Sequence, residues 1–128
     1  MKKFCKSQKG QSLVEFALVI PIFILLLFGI IEFGRLWETM NVLTSAAREG
    51  ARIAAVTSPD GARVRSTALN LLAGSGLTGV SVALSGPGGS HDVTVTVSGT
   101  YVPLTNAVIP GLIGPFNLTR STTMHWEG

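Results

Sequence analysis

An apolar run over residues 13–31 constrains this chain more than any other feature, because Glu15 is its only charged residue. At about 1.5 Å per residue, a helix of these 19 residues reaches roughly the 30 Å thickness of a bilayer's hydrocarbon core. Such a helix is apolar on every face, and a protein of 128 residues is too small to surround it. The run therefore predicts a helix that crosses a membrane.

A cleaved secretory signal peptide is the main alternative for this run. The run is longer than a usual signal-peptide core, Glu15 lies near its start, and no A-x-A-like cleavage site follows it. Residues 34–38 instead read GRLWE, which favours a continuing helix with an interfacial Trp. We therefore expect an anchor that remains part of the protein.

The charges indicate which way the anchor points. Four of the ten basic residues precede the run: Lys2, Lys3, Lys6 and Lys9. This flank predicts a cytoplasmic N-terminus and an extracytoplasmic C-terminal domain, in a single-pass protein of the cytoplasmic (inner) membrane. Residues 11–128 hold six basic and seven acidic residues, so the net charge of +3 indicates a membrane flank and no nucleic-acid surface. The single cysteine, Cys5, is expected to be a reduced thiol without a role.

The helix is expected to continue beyond the membrane to residue 56. One face stays apolar at spacings of three and four, and two rows of small residues follow it. These rows are Ala46, Gly50, Ala54 and Ala47, Ala51, Ala55. They allow close packing either on the protein's own domain, which we favour, or on a neighbouring subunit. The three charged residues at spacing three, Glu32, Arg35 and Glu38, are expected to pair on a wet face above the membrane.

A second, short helix is expected after a break at residues 57–61. Ser58 is a candidate cap, Pro59 suits the first helical position, and Asp60 suits the positive end of the helix dipole. The helix is predicted to end at Gly74. Its predicted buried face consists of Val64, Ala68, Leu71 and Leu72.

From about residue 80 the apolar residues recur at every second position, which is typical of strands. Alternating apolar residues at 80–84 and 93–97 flank the turn sequence GPGG, so a β-hairpin is predicted. Residues 101–116 carry three prolines and are interpreted as a covering loop, and residues 117–126 as a third strand. The predicted fold class is α+β: a long membrane-spanning helix, a short second helix and an antiparallel sheet of about three strands.

No constellation for catalysis or for a metal or cofactor is recognisable. The seven acidic residues are scattered, and neither His91 nor His125 has a second ligand at metal-binding spacing. The glycines at 86–89 precede a strand, so they do not present helix N-terminal amides to a phosphate. The sequence therefore predicts a protein that is not an enzyme and needs no cofactor.

The most specific segment is residues 9–21, which read KGQSLVEFALVIP. A Gly ending a basic leader, followed by an apolar helix with Glu in the fifth place, resembles a type IV prepilin. The wider pattern is similar to the TadE-like proteins, pilin-like subunits of the tight-adherence (Flp) pilus machinery. The resemblance covers roughly the first 56 residues through Gly29, Glu32, Gly34 and the segment AAREGAR at 46–52, and then loosely YVPL at 101–104.

This resemblance implies roles for five residues. A prepilin peptidase would cut between Gly10 and Gln11. Glu15, with Phe16 beside it, would set subunit assembly and register by meeting the new amine of Gln11 on a neighbour. Pro21 removes one backbone hydrogen bond and is a candidate helix kink.

The expected organisation is a leader at 1–10, a transmembrane helix at 11–33 and an extracytoplasmic α+β domain at 34–128. The implied function is that of a minor pilin-like subunit in tight-adherence pilus assembly. Its implied partners are the bilayer, a prepilin peptidase, other pilin-like subunits and the assembly machinery. Because its 128 residues exceed the length of major Flp pilins, a main filament subunit is not expected, and neither is the large additional domain of TadG-like relatives. An uncleaved, signal-anchored envelope protein of structural or binding type is the alternative.

Overall fold

A computed structural model describes residues 8–57 and 61–127 of the chain. Its dominant element is helix α1, Gln8–Val56, whose 49 residues correspond to about 73 Å of length. The helix continues past residue 31 to residue 56, as predicted. Its first half is exposed, whereas its second half is packed against the rest of the protein.

Short side chains explain how closely the second half of α1 is packed. The residues of both small-residue rows are buried, together with Leu43. At Gly50, a Cβ atom would lie 3.1 Å from Cγ1 of Val95 in the sheet and 3.5 Å from Cγ1 of Val64 in the second helix. Both rows therefore pack on the protein's own domain, which confirms the favoured interpretation.

Helix α2, Gly61–Leu72, follows and buries Val64, Ala68 and Leu72. The prediction that Leu71 is buried was wrong, because that side chain is 43% exposed. At 100° per residue Leu71 lies at the edge of the stripe that the other three form, so it faces the open groove beside α1. The chain leaves the helix through Gly74, which has a φ of 85°. The predicted cap at residues 58–60 lies outside the described residues.

The sheet has three antiparallel strands in the order β1-β2-β3: Thr78–Ser85, Asp92–Tyr101 and Phe116–His125. The predicted hairpin and third strand are confirmed. Alternate residues of the central strand, Val93, Val95 and Val97, are fully buried against α1 and α2. The period-two pattern thus places its valines in the core and its threonines on the outer face.

The segment between β2 and β3 differs in part from the predicted loop. It contains a one-turn helix, α3 (Thr105–Val108), and its ends at residues 101 and 116 belong to the strands. Proline at 103 and 110 and glycine at 111 confine the regular structure to this single turn.

The sheet lies along the second half of α1, with β2 running back towards the apolar half. The amide of Glu127 donates to the carbonyl of Ala55 at 3.4 Å, near the C-terminal end of α1. The hydroxyl of Tyr101, at the end of β2, donates to Glu32. The helix between Glu32 and Ala55 is about 35 Å long, similar to the roughly 30 Å length of a ten-residue strand. The domain therefore begins at the level of Glu32, directly after the apolar run.

Candidate functional site

The two residues of the predicted cleavage site lie in the first turns of α1. Gly10 and Gln11 are both helical and exposed, and apart from the adjacent helix backbone and chain neighbours no described atom lies within 4 Å of a Cβ built on Gly10. The first turn contains no acidic residue that would stabilise the positive end of the helix dipole. Cleavage of the Gly10–Gln11 bond stays a prediction.

Glu15 and Phe16, the predicted assembly residues, lie on the exposed first half of α1. Phe16 is 63% exposed, and Glu15 is also exposed. Among residues 8–57 and 61–127, the Glu15 carboxylate has no hydrogen bond or ion pair. No residue of the described domain, 34–57 and 61–127, approaches either side chain.

Pro21 lies inside α1, and the helix continues on both sides of it. Its ring nitrogen has no hydrogen, so the carbonyl of Ala17 lacks its usual helical donor. The kink at this position stays a prediction.

A site that the sequence did not reveal joins the helix to the domain at Glu32. The Tyr101 hydroxyl donates to Glu32 Oε2 at 2.8 Å, and the Thr105 amide donates to Glu32 Oε1 at 3.0 Å. Arg35 Nη1 lies 3.9 Å from the same Oε1, and the Glu32 side chain is only 12% exposed. The carboxylate therefore holds the end of β2 and the start of α3 against α1. We call these three residues, Glu32, Tyr101 and Thr105, the Glu32 junction.

The expected pairing of charges along α1 is thus only partly right. Glu32 and Arg35 are neighbours, but Glu32 is covered by the domain and does not face water. Glu38 takes no part in the junction among the described residues. The reason is that α3 and the end of β2 pack on α1 at Glu32 itself. The spacing of the three charged residues does not reveal this contact.

Tyr101 is the central side chain of this junction. It is 3% exposed, its ring packs on Phe116 at 5.4 Å between centroids, and Arg35 Cζ lies 5.8 Å from its centroid. Burial raises the pKa of Tyr101, and the hydrogen bond to the Glu32 carboxylate raises it further. The tyrosine is therefore held as a neutral donor. The sequence offers one signal for this contact: Glu32 and the segment YVPL, which begins with Tyr101, both belong to the family resemblance described above.

The two histidines lie at the opposite end of the sheet. His125 Nδ1 is 3.3 Å from Asp92 Oδ1, and the His91 ring stacks on Trp126 at 6.1 Å. Both histidines are exposed, and the described part of the chain contains no group of three potential metal ligands. The arrangement pairs His125 with Asp92 at the protein surface.

The fold and the exposed helix together define a class. The apolar half of α1 has a mean hydropathy of 2.8 over 18 residues, and none of that window is buried, so it is long and apolar enough to cross a membrane. The class is that of small α+β domains carried on the far half of an N-terminal membrane-anchor helix.

The family model described as TadE-like protein matches residues 10–52. This segment, about a third of the chain, is similar to the TadE-like family, which confirms the predicted resemblance. The match begins at the predicted cleavage site and ends near the end of α1. No curated protein and no solved structure matched the chain.

Proposed function

We propose that this protein is a minor pilin-like subunit that a prepilin peptidase cuts between Gly10 and Gln11. It is inserted in the cytoplasmic membrane with its N-terminus inside and its residues 34–128 outside. In this role it associates with other pilin-like subunits during assembly of a tight-adherence pilus.

The observation that supports this proposal most strongly is Glu15 on the exposed apolar helix, without a partner among residues 8–57 and 61–127, inside a family match that begins at Gly10. A carboxylate in hydrocarbon costs about 3 kcal/mol on insertion scales. The cost falls when an opposite charge comes close in a low-dielectric environment. Cleavage after Gly10 creates such a charge, the α-amine of Gln11, near the membrane surface.

Pairing between subunits follows from the geometry of the helix. Gln11 and Glu15 of one helix are four residues apart, so they lie about one turn from each other along it. Two helices offset by about that distance would bring the amine of one to the carboxylate of the other. A shift of register would leave Glu15 unpaired, so the pair selects one arrangement of subunits.

The uncleaved, signal-anchored protein is the second candidate. The observation that favours it is the continuous helix through Gly10 and Gln11, which places the scissile bond in regular structure. In that case Glu15 extends towards the headgroups near the lysine flank and takes no part in assembly.

A complementation assay with Glu15→Leu tests the proposal. The variant is expected to insert in the membrane at least as well as the parent, because the unfavourable charge is gone. It is expected to be cut after Gly10, because the site is untouched, but to fail in piliation and to co-purify poorly with pilus components. Glu15→Asp, which keeps the charge, is expected to restore part of the piliation.

Glu38→Leu is the matched control, because it replaces an exposed acidic residue by leucine on the same helix, outside the apolar run. It should leave insertion, cleavage and piliation unchanged. Normal piliation by Glu15→Leu would refute the pairing and favour the second candidate.

A further inference from the structure

The connection between β2 and β3 carries an unusual density of exposed apolar side chains. Residues 101–119 contain no charged residue. Seven large apolar side chains in this stretch are 37–58% exposed: Val102, Leu104, Val108, Ile109, Leu112, Ile113 and Phe116. We call residues 102–116 the apolar loop.

In the rest of the domain, most large apolar side chains are buried or partly buried. Beyond Trp37, the only other large apolar side chains that are exposed in the described residues are Val56, Leu69 and Leu71. The outer face of the sheet is instead lined by serine and threonine, with side-chain hydrogen bonds such as Ser81–Ser98 and Thr94–Thr123. A contiguous apolar surface confined to one end of a small domain marks a site of interaction with a protein or a membrane.

The position of the apolar loop decides between these partners. Its helix α3 is fixed to α1 by the Thr105–Glu32 hydrogen bond, directly after the apolar run. Farther along, Ile113 and Phe116 share a groove of about 310 Å³ with residues of the run itself, Leu25 and Phe28. Leu25 is six residues before the end of the run, which corresponds to about 9 Å of helix. The apolar loop therefore descends beside the last turns of the helix that crosses the membrane.

We propose that the apolar loop inserts into the boundary between headgroups and acyl chains of the leaflet at the C-terminal end of this span. The loop surface is continuous with the lipid-facing surface of α1 and has no charge to desolvate. Apolar faces of interfacial segments reach about 5–10 Å into this boundary. The loop extends alongside α1 to Leu25, about 9 Å before the end of the apolar run, which agrees with that depth. Lipid is the occupant because the groove opens between the loop and a helix surface that lipid already surrounds. This inference rests on the membrane insertion of α1 proposed above, and not on cleavage or pilus assembly.

The loop gives the domain a second attachment to the membrane. A single helix leaves the whole protein free to tilt relative to the bilayer surface. The Glu32 junction ties the loop to one side of α1, so insertion of the loop holds that side of the domain at the membrane and limits the tilt. The hairpin turn at the other end of the sheet is then held away from the lipid.

Fluorescent labels on the full chain, reconstituted in vesicles of phosphatidylethanolamine and phosphatidylglycerol, test this arrangement. In a Cys5→Ser background, Val108→Cys and Leu112→Cys each provide one labelling site on a side chain that is more than half exposed. Ser90→Cys in the hairpin turn is the matched control, at the level of Ala55 and about 36 Å beyond the span. The quencher is a phospholipid with a nitroxide on the acyl chain near the headgroup.

Loss of emission at positions 108 and 112, with no loss at position 90, is the expected result. Equal emission at all three positions would overturn the inference if the protein still resists alkaline extraction from the vesicles. Quenching at 108 and 112 that disappears as protein density rises would also overturn it, because another copy of the chain would then cover the loop. Extraction of the protein by alkali would instead refute the membrane anchor, and the loop inference with it.

Discussion

Removal of the Glu32 carboxylate should loosen the domain from its helix. In Glu32→Ala, the Tyr101 hydroxyl and the Thr105 amide each lose an acceptor, at 2.8 Å and 3.0 Å respectively. A hydrogen bond to a charged group contributes about 1.5–3 kcal/mol, and a buried donor without a partner costs about 1–3 kcal/mol. The carboxylate's own burial is unfavourable and offsets part of this loss. We therefore expect a net loss of about 2–4 kcal/mol in the free energy of unfolding of the domain.

Urea unfolding of the full chain in detergent micelles, followed by the near-ultraviolet circular dichroism of Tyr101 and the two tryptophans, measures this loss. The double-mutant cycle with Tyr101→Phe isolates the hydroxyl–carboxylate contact, and its coupling energy should be about 0.5–3 kcal/mol. Glu38→Ala, an exposed acidic residue two turns along α1, is the control and should change stability by less than about 0.5 kcal/mol. Equal stability of Glu32→Ala and the parent would refute the Glu32 junction as the attachment of the domain.

Two further predictions concern the packing and protonation of the same helix–domain contact. Gly50→Val should destabilise the domain by about 1–3 kcal/mol in the same urea assay, because its Cβ would lie 3.1 Å from Cγ1 of Val95. Gly34→Val is the control and should be near neutral, because a Cβ at Gly34 would meet no other side chain within 4 Å. Equal effects of the two substitutions would contradict the close packing at Gly50. Tyr101 is the only tyrosine, so tyrosinate absorbance reads its pKa directly, which should be above the ordinary value of about 10 and should fall towards it in Glu32→Gln. Because this pKa is raised by folding, the associated stability should be complete below about pH 10 and be lost as the pH rises through the folded-state pKa. An ordinary Tyr101 pKa in the parent would exclude the buried hydrogen bond.

Local periodicity was enough to predict most of the fold. The apolar run, the small residues up to residue 55 and the alternating valines at 93–97 specify which face of each element is buried. Periodicity states that a face is covered but not what covers it. Periodicity alone predicts Leu71 in the core for this reason, although its side chain, at the edge of the α2 stripe, is 43% exposed.

The candidate site, too, is only partly predictable from the sequence. Gly10, Gln11 and Glu15 are candidates because their spacing along one helix is itself the motif, and their roles stay predictions. The Glu32 junction was missed because Glu32 and Tyr101 are 69 residues apart, and only the path of β2 along α1 brings them together. The spacing of Glu32 and Arg35 indicated a local ion pair, and a local pattern contains no information about the strand that covers it.

The N-terminus of the mature protein tests the central claim most directly. Protein isolated from cells with an active tight-adherence prepilin peptidase should begin at Gln11, by intact mass and by N-terminal sequencing. Cells without the peptidase, and the Gly10→Val variant in cells that have it, should yield protein that retains residues 1–10. Retention of residues 1–10 by the parent chain in the presence of the active peptidase would contradict the assignment as a processed pilin-like subunit.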